Sequence, residues 1–265
     1  MSNKIKLIAT DLDGTLIRGY RPDCSEKAVE LMTKLAEKGV YIVPASGRQY
    51  FNLQNMFKDV QGDLMYICEN GALVMYKDKV VLKNSFDREL AMGICHLILD
   101  NPYCEALISG ERTCYVVTEN HEYVDYLRNH IKNDVTEVDS PEDIAEDIIK
   151  ISYFVPEEKC QEVTEEFAKF AEGRCILAVS GNEWVDFAPF NTSKGDALAA
   201  IEARMGISKE DMVAFGDNEN DRTMLEFVGH PYLMADGNPT MMDLDVPRCN
   251  SVEEELERIL SNLSC

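Results

Sequence analysis

One stretch near the amino terminus constrains the fold of this chain more than any other: residues 4–16, which read KIKLIATDLDGTL. Ile5 and residues 7–9 form a short apolar run, as expected for a strand that is buried on both faces of a parallel sheet. Asp11 and Asp13 follow this strand directly, and Gly14 permits a sharp turn. In open α/β sheets, ligands bind outside the carboxyl ends of the strands. The stretch therefore predicts an α/β sheet with a ligand site at Asp11 and Asp13.

The two aspartates indicate what the ligand could be. If the chain stays extended, Asp11 and Asp13 project to the same side, because side chains alternate along a strand. Two carboxylates this close repel unless a cation or a shared proton offsets them. Mg²⁺ is suited to the position, since it is usually bound by one or two carboxylates together with phosphate. A solvated, aspartate-rich turn is the alternative explanation, so the rest of the chain has to supply partners.

The composition limits the number of domains and indicates the cellular location of the protein. With 265 residues and 45% hydrophobic content, the chain can form one large domain or two smaller ones. Its apolar runs are all shorter than the roughly 20 residues of a membrane helix, and charged residues interrupt the amino terminus where a signal peptide would be apolar. Nine cysteines without a C-x-x-C pair favour reduced thiols over disulfides or a zinc site. We expect a cytoplasmic protein that does not bind membranes.

The net charge of the chain restricts the class of molecule that it is expected to bind. A formal net charge of −22 argues against nucleic-acid binding, which needs a basic surface. It does not exclude a small phosphorylated substrate, because a metal ion, one lysine and a few N–H donors are sufficient to bind one phosphate group.

The hydrophobic pattern predicts a main sheet interrupted by a separate module. The elements expected before the interruption are strands at 5–9, 40–45, 63–68, 73–76 and 80–82, and helices at 25–38 and 49–57. The elements expected after it are a helix at 197–205, strands at 212–215 and 231–235, and a final helix at 251–263. Between these two groups, predicted helices alternate with predicted strands. The helices are at 89–99, 120–131 and 157–172, with a further capped helix start at Ser140, and the strands are at 104–109, 113–118, 148–155, 175–179 and 184–187. This alternation predicts an inserted α+β module.

Three further segments carry candidate site residues. Ser46 and Gly47 lie between a strand and a helix, where a hydroxyl and free N–H groups can bind an anion, although Ser46 could also be an ordinary helix cap. Lys194 lies at a helix start, where a cation is unfavourable unless it has an anionic partner; an exposed lysine is the alternative. Residues 216–221, GDNEND, follow a strand, and a doubly wound sheet would place them beside Asp11.

Taken in order, these segments resemble the four motifs of the haloacid dehalogenase (HAD) superfamily. The motifs are DLDGT at 11–15, SGR at 46–48, SKG at 193–195 and GDNEND at 216–221. Their order, with a long insertion between the second and the third, resembles the Cof-type phosphatases of subclass IIB, over nearly the whole chain. The chain departs from the family pattern at residues 235–239, ADGNP.

The resemblance implies a fold. We expect an α/β protein with a doubly wound, mostly parallel, Rossmann-like HAD core sheet formed by residues 1–85 and 189–265. Residues 86–188 would form an inserted α+β cap domain of the C2B type.

The resemblance also implies roles for individual residues. Asp11 would be the nucleophile that forms an aspartyl-phosphate, and Asp13 the general acid and base. Mg²⁺ would be bound by Asp11, Asp217 and the main-chain carbonyl of Asp13, with Asp221 positioning the metal or its waters. The residues implied for phosphate binding are Leu12, Ser46, Gly47, Lys194 and Asn220.

The expected function is Mg²⁺-dependent hydrolysis of phosphomonoesters of small metabolites, with sugar phosphates as the favoured class. A phosphomutase on the same fold and a non-catalytic metabolite-binding protein remain alternatives. The sequence indicates neither the individual substrate nor the oligomeric state.

Overall fold

The computed structural model describes residues 5–19, 23–180 and 183–263. Lys4, in the stretch analysed first, and Cys265, one of the predicted thiols, lie outside these ranges. The chain divides into two compact units, Met1–Leu82 with Ser193–Cys265 and Lys83–Thr192. We refer to them as the core unit and the inserted unit. The limits predicted from the sequence lie between residues 85 and 86 and between residues 188 and 189.

The described residues contain strands and α-helices along the whole chain. The strands are β1 (Leu7–Thr10), β2 (Tyr41–Pro44), β3 (Met65–Cys68), β4 (Leu73–Tyr76), β5 (Lys79–Lys83), β6 (Glu105–Ser109), β7 (Cys114–Val116), β8 (Val135–Glu137), β9 (Lys150–Phe154), β10 (Ile176–Val179), β11 (Trp184–Ala188), β12 (Met212–Gly216), β13 (His230–Met234) and β14 (Arg248–Cys249). The α-helices are α1 (Glu26–Glu37), α2 (Tyr50–Met56), α3 (Arg88–Leu99), α4 (His121–Asp125), α5 (Glu157–Ala171), α6 (Lys194–Met205), α7 (Arg222–Phe227) and α8 (Val252–Asn262).

The core unit contains a parallel sheet with the strand order β14–β13–β12–β1–β2. Isolated parallel bridges from Ile42 to Leu64 and from Ala45 to Ile67 join β3 to β2. β3 also pairs antiparallel with β4, in a three-stranded sheet that ends with β5. The expected mostly parallel α/β fold is confirmed.

Burial explains the position of β1 at the centre of this sheet. Its four residues are at most 2% exposed, which matches the apolar run in the sequence. Leu7 and Ala9 belong to a hydrophobic cluster that also includes residues of β12 and α6. Pro44 is the last residue of β2 and pairs with Thr10, so this proline lies at the strand end, as its missing N–H donor predicts.

The inserted unit contains a six-stranded sheet with the order β10–β11–β9–β6–β7–β8, antiparallel except for the β7–β8 pair. Its larger hydrophobic cluster joins this sheet to α3 and α5, and includes Ile94, Ile151, Phe167 and Phe187. A second cluster forms around α4 and includes Leu127. The predicted α+β character of the insertion is confirmed.

Two predicted helices differ from the observed structure: one is α-helical over only part of its predicted length, and the other is a 3₁₀ turn. The helix expected over 120–131 is α-helical only in α4 and continues as a π-helical turn, Tyr126–Ile131, in which the rings of Tyr126 and His130 stack. The helix expected at Ser140 is a single 3₁₀ turn, Pro141–Asp143, because the buried Ile144 is extended and ends it. Among the described residues, no helix has both the length and the apolar character that a bilayer crossing requires.

Candidate active site

The first candidate residue, Asp11, extends the pairing of two central strands. Its backbone N–H donates to the carbonyl of Phe215 in β12 at 2.9 Å, directly after the last residue of β1. Gly14, with a φ of +95°, then turns the chain. Leu12 has a fully buried side chain, and its carbonyl accepts hydrogen bonds from the N–H groups of Thr15 and Ile17. Asp11, which is 6% exposed, is thus held at the carboxyl end of the central strand.

Lys194 has two carboxylate partners. It is the first residue of α6, whose amino terminus is capped by the side chain of Ser193. The Lys194 side chain is 0% exposed, and its Nζ lies 2.6 Å from both Oδ1 of Asp11 and Oδ1 of Asp221. The ammonium therefore bridges two carboxylates from different strand ends.

Asp217 and Asp221 follow β12. Oδ1 of Asp217 accepts a hydrogen bond of 2.6 Å from the hydroxyl of Thr15, which lies in the turn after β1. Oδ2 of Asp221 accepts from the backbone N–H groups of Asp217 and Asn218, at 2.9 and 3.1 Å. Because Lys194 occupies its other oxygen, both oxygens of Asp221 are bonded to donors of the protein.

The electrostatics of this cluster follow from its burial. Desolvation raises the pKa of Asp11 to about 7 against the opposing effect of Lys194, and it raises the pKa of Asp217 as well. Burial alone would lower the pKa of Lys194, but the carboxylates of Asp221 and Asp11 hold it above its usual value. Lys194 is therefore an ammonium ion, while the neighbouring carboxylates repel one another.

The carboxylates fit a divalent cation. Oxygen atoms of Asp11, Asp217 and Asp221 lie within 4.8 Å of one another. Three carboxylates and one ammonium carry a formal charge of −2, which one Mg²⁺ would neutralise, and oxygen ligands are those that Mg²⁺ prefers. Since the oxygens of Asp221 are bonded to protein donors, Asp11 and Asp217 are the residues suited to direct coordination, and Asp221 to positioning.

Asp13 has a different partner from Asp11. Its side chain is 60% exposed and accepts two hydrogen bonds from Arg48, from Nε at 3.0 Å and from Nη2 at 2.7 Å. Nη1 of Arg48 also donates to Asn52 at 3.3 Å. A bidentate arginine orients a carboxylate in one plane, so Arg48 sets the orientation of Asp13.

Ser46 and Gly47 lie beside a turn that follows β3. Ser46 is 3% exposed, and its hydroxyl accepts from the N–H of Arg48 at 3.3 Å. The side chain of Asn70 packs against Gly47, and its Oδ1 accepts a hydrogen bond of 3.2 Å from Nδ2 of Asn220. Ser46, Gly47 and Asn220 are thus connected through Asn70.

The structure therefore groups the predicted residues into three sets: Asp11, Lys194, Asp217 and Asp221; Asp13 with Arg48; and Ser46, Gly47 and Asn220 around Asn70. No role was predicted from the sequence for Thr15, Arg48 or Asn70. Two of these had a usable signal, since Arg48 directly follows the Ser-Gly pair and Asn70-Gly71 is a turn dipeptide at the end of a strand. Thr15 had none beyond its place in the first motif.

A cleft of about 460 Å³ opens beside the carboxylates. It is lined by Asp13, Gly14, Ile17, Arg18, Gly19, Asp217 and Asp236. Its volume lies within the range of small-molecule sites.

Comparisons with known proteins agree with this geometry. Residues 8–244 match the family model described as haloacid dehalogenase-like hydrolase. One relative, the 5-amino-6-(5-phospho-D-ribitylamino)uracil phosphatase YbjI of Escherichia coli, is 22% identical over 95% of this chain and 93% of its own length.

Solved structures show the same fold. TM0651 from Thermotoga maritima superposes with a TM-score of 0.82 and 27% identity, over 96% of this chain and 97% of that one. The HAD subclass IIB sugar phosphatase BT4131 superposes with a TM-score of 0.75 and 20% identity, over 98% of both chains. The prediction of a HAD-like phosphatase with a Cof-type resemblance is confirmed, and the chain belongs to the haloacid dehalogenase-like hydrolase family.

Proposed function

We propose that this protein is a Mg²⁺-dependent phosphomonoester hydrolase that acts through an aspartyl-phosphate. The single observation that carries the proposal is the position of Lys194, buried between Asp11 and Asp221 with Nζ at 2.6 Å from each. A lysine held in this way orients the Asp11 carboxylate and supplies positive charge where a phosphoryl group would bind.

Asp11 is the proposed nucleophile. Lys194 holds Oδ1, so the second carboxylate oxygen attacks phosphorus, forming an O–P bond while the bond from phosphorus to the ester oxygen breaks. Asp13 enters this step in its protonated form and gives its proton to the leaving alkoxide. Asp13 then takes a proton from a water molecule that attacks phosphorus, the bond from phosphorus to Asp11 breaks, and inorganic phosphate leaves.

Mg²⁺, when bound by Asp11, Asp217 and the main-chain carbonyl of Asp13, supplies charge neutralisation for the phosphoryl oxygens. Asp221 positions the N–H groups of the Asp217 turn and the ammonium of Lys194. The side chain of Asp13 carries out both proton transfers.

The remaining predicted residues would bind the phosphoryl oxygens. These are the hydroxyl of Ser46, the N–H of Gly47, the ammonium of Lys194, the amide of Asn220 and the main chain at Leu12. Hydrogen-bond donors held in place before the reaction stabilise the charge that develops during phosphoryl transfer.

For the substrate we propose a small phosphorylated metabolite that carries several hydroxyl groups, such as a sugar phosphate. The names of YbjI, which acts on a ribityl phosphate, and of the sugar phosphatase BT4131 support this class. We propose that the inserted unit is a cap that selects the substrate. The eight cysteines among the described residues are all free thiols, which supports a reducing compartment such as the cytoplasm.

A panel of phosphorylated metabolites, assayed for phosphate release with and without Mg²⁺, tests the proposal. We expect Mg²⁺-dependent release that is greatest for sugar and polyol phosphates. Isomerised phosphate ester with little free phosphate would instead identify a mutase. No turnover of any ester would refute the enzymatic proposal.

A further inference from the structure

The turn after β3 has a backbone that ordinary residues rarely adopt. Glu69, Asn70 and Gly71 follow one another with φ values of +50°, +55° and +105°. Asparagine tolerates this left-handed region, whereas glutamate does not favour it. Such conformations persist only where surrounding contacts enforce them, and they concentrate at functional sites.

Contacts with two candidate site segments hold this turn. The N–H of Glu69 donates to the carbonyl of Arg48 at 3.2 Å, and that of Asn70 donates to the carbonyl of Ser46 at 3.0 Å. A Cβ at Gly71 would lie 2.1 Å from the carbonyl oxygen of Ser193, so the turn packs against the residue before Lys194. Asn70 is therefore fixed between the Ser46–Arg48 segment and the start of α6.

The side-chain amide of Asn70 has one end bound and one end available. Oδ1 accepts the hydrogen bond from Asn220. Nδ2 has no hydrogen-bond acceptor among the residues that the structure describes. Both ends of the amide lie beside Gly47, since Nδ2 and Oδ1 are 3.1 and 3.2 Å from the position a Cβ would take there. Gly47 therefore leaves the space that this amide occupies, and the Asn70 side chain is only partly buried.

We propose that Asn70 is a further phosphoryl-binding residue, which donates a hydrogen bond from Nδ2 to a non-bridging phosphoryl oxygen. The inference rests on the proposed function, since it places the amide beside Gly47 and Asn220, two of the residues proposed to bind the same group. The bond from Asn220 occupies Oδ1 and so identifies Nδ2 as the donor end of the amide, which is in place before the phosphoryl group arrives. Asn70 adds a neutral donor to a site whose charge is already set by Lys194.

Two substitutions test this role. Asn70→Gly removes the amide but keeps a residue that adopts a positive φ easily, so the fold should be retained. Asn70→Asp keeps the shape but replaces the donor with a charged acceptor. Lys132→Gly is the matched control, because Lys132 is exposed, has a φ of +67° and lies in the inserted unit.

Three quantities are measured for each variant: kcat/KM with the best ester of the panel, the dissociation constant of inorganic phosphate in the presence of Mg²⁺, and the melting temperature. For Asn70→Gly we expect kcat/KM to fall roughly 10- to 100-fold, phosphate binding to weaken by a similar factor, and the melting temperature to stay within about 3 °C of wild type. For Asn70→Asp we expect a larger loss of both kcat/KM and phosphate affinity, and for Lys132→Gly we expect no loss of either.

Phosphate binding and kcat/KM within about two-fold of wild type in either folded variant would overturn the role of Asn70. The measurement of phosphate affinity separates this result from a failure of the proposed function. A wild-type protein that binds phosphate but hydrolyses no ester would refute the enzymatic proposal alone, and the affinities of the variants would still decide on Asn70. A wild-type protein that binds no phosphate would refute both.

Discussion

Nζ of Lys194 donates a hydrogen bond of 2.6 Å to Oδ1 of Asp11, although the two residues lie 183 positions apart in the chain. The contact joins the first residue of α6 to the end of β1, and neither side chain is more than marginally exposed. It fixes the orientation of the proposed nucleophile, and several predictions depend on it.

Asp11→Asn is expected to abolish phosphate release while the protein stays folded. An amide is a poor nucleophile, yet its oxygen can still accept the hydrogen bond from Lys194, so the loss should be about 1,000-fold or more without a change in circular dichroism. Asp59→Asn, at an exposed position of the core unit, is the control and should keep wild-type activity. Release by Asp11→Asn at more than about a tenth of the wild-type rate would rule out this nucleophile.

Lys194→Met is expected to lower the free energy of unfolding by about 3–5 kcal/mol, because it leaves the buried carboxylates of Asp11 and Asp221 without their cation. Urea titrations of both proteins measure the difference. Lys58→Met, at an exposed lysine, should change the free energy by less than about 0.5 kcal/mol. A Lys194→Met protein as stable as the control would mean that the carboxylates are not charged as argued.

Mg²⁺ is expected to stabilise the folded protein against urea. At a concentration of 100 times its dissociation constant, a bound ion adds about 2.7 kcal/mol to the free energy of unfolding. Asp217→Asn should remove most of this gain, since it removes one proposed ligand and one of the charges. KCl at matched ionic strength is the control. An equal gain with KCl, or an undiminished gain in Asp217→Asn, would contradict a metal site here.

Gly14→Ala is expected to raise the Mg²⁺ concentration needed for half-maximal activity. A Cβ at Gly14 would lie 2.5 Å from Oδ2 of Asp217, so the carboxylate has to move. Gly39→Ala is the matched control, since Gly39 has a similar positive φ of +83° but no atom within 4 Å of the added Cβ. Both variants should lose about 1 kcal/mol of stability from the backbone strain. The proposal fails if both variants show the same Mg²⁺ dependence as wild type.

Asp13→Asn is expected to slow hydrolysis of alkyl phosphates by roughly 100- to 10,000-fold, because their leaving groups need a proton. With p-nitrophenyl phosphate, whose leaving group needs none, the variant should release one equivalent of nitrophenol rapidly and then turn over slowly, since the water step lacks its base. Stopped-flow absorbance measures this burst. Equal rate losses for both esters, with no burst, would argue that Asp13 is not the general acid and base.

The sequence predicts the central elements well, because their signals are local. β1 was predicted as a buried strand from its apolar run. The helix α1 and the strand β2 lie within the predicted ranges 25–38 and 40–45. The helix α7 and the strands β8 and β14 were not predicted. They contain six, three and two residues, too few for hydrophobic periodicity to distinguish them.

The side-chain contacts within the site could not be predicted from the sequence in this way. The sequence indicated that Lys194 needs an anionic partner, but not that it lies between Asp11 and Asp221. The pairing of Asp13 with Arg48 and the position of Asn70 between Gly47 and Asn220 are set by packing between distant segments. Local propensity contains no information about such contacts, and neither does the spacing of the motifs.

The central position of β1 has a consequence for synthesis on the ribosome. The strand β1 needs the much later strand β12 as one of its two neighbours, and the contact of Thr15 with Asp217 spans 202 positions. Until translation has passed Gly216, a nascent chain exposes one edge of a strand that the folded sheet buries completely, and unpaired edges of this kind promote aggregation. Completion of the core sheet therefore depends on the segment that follows the inserted unit, and a product truncated within the inserted unit would lack β12, β13 and β14 as well as Lys194, the cation partner of Asp11.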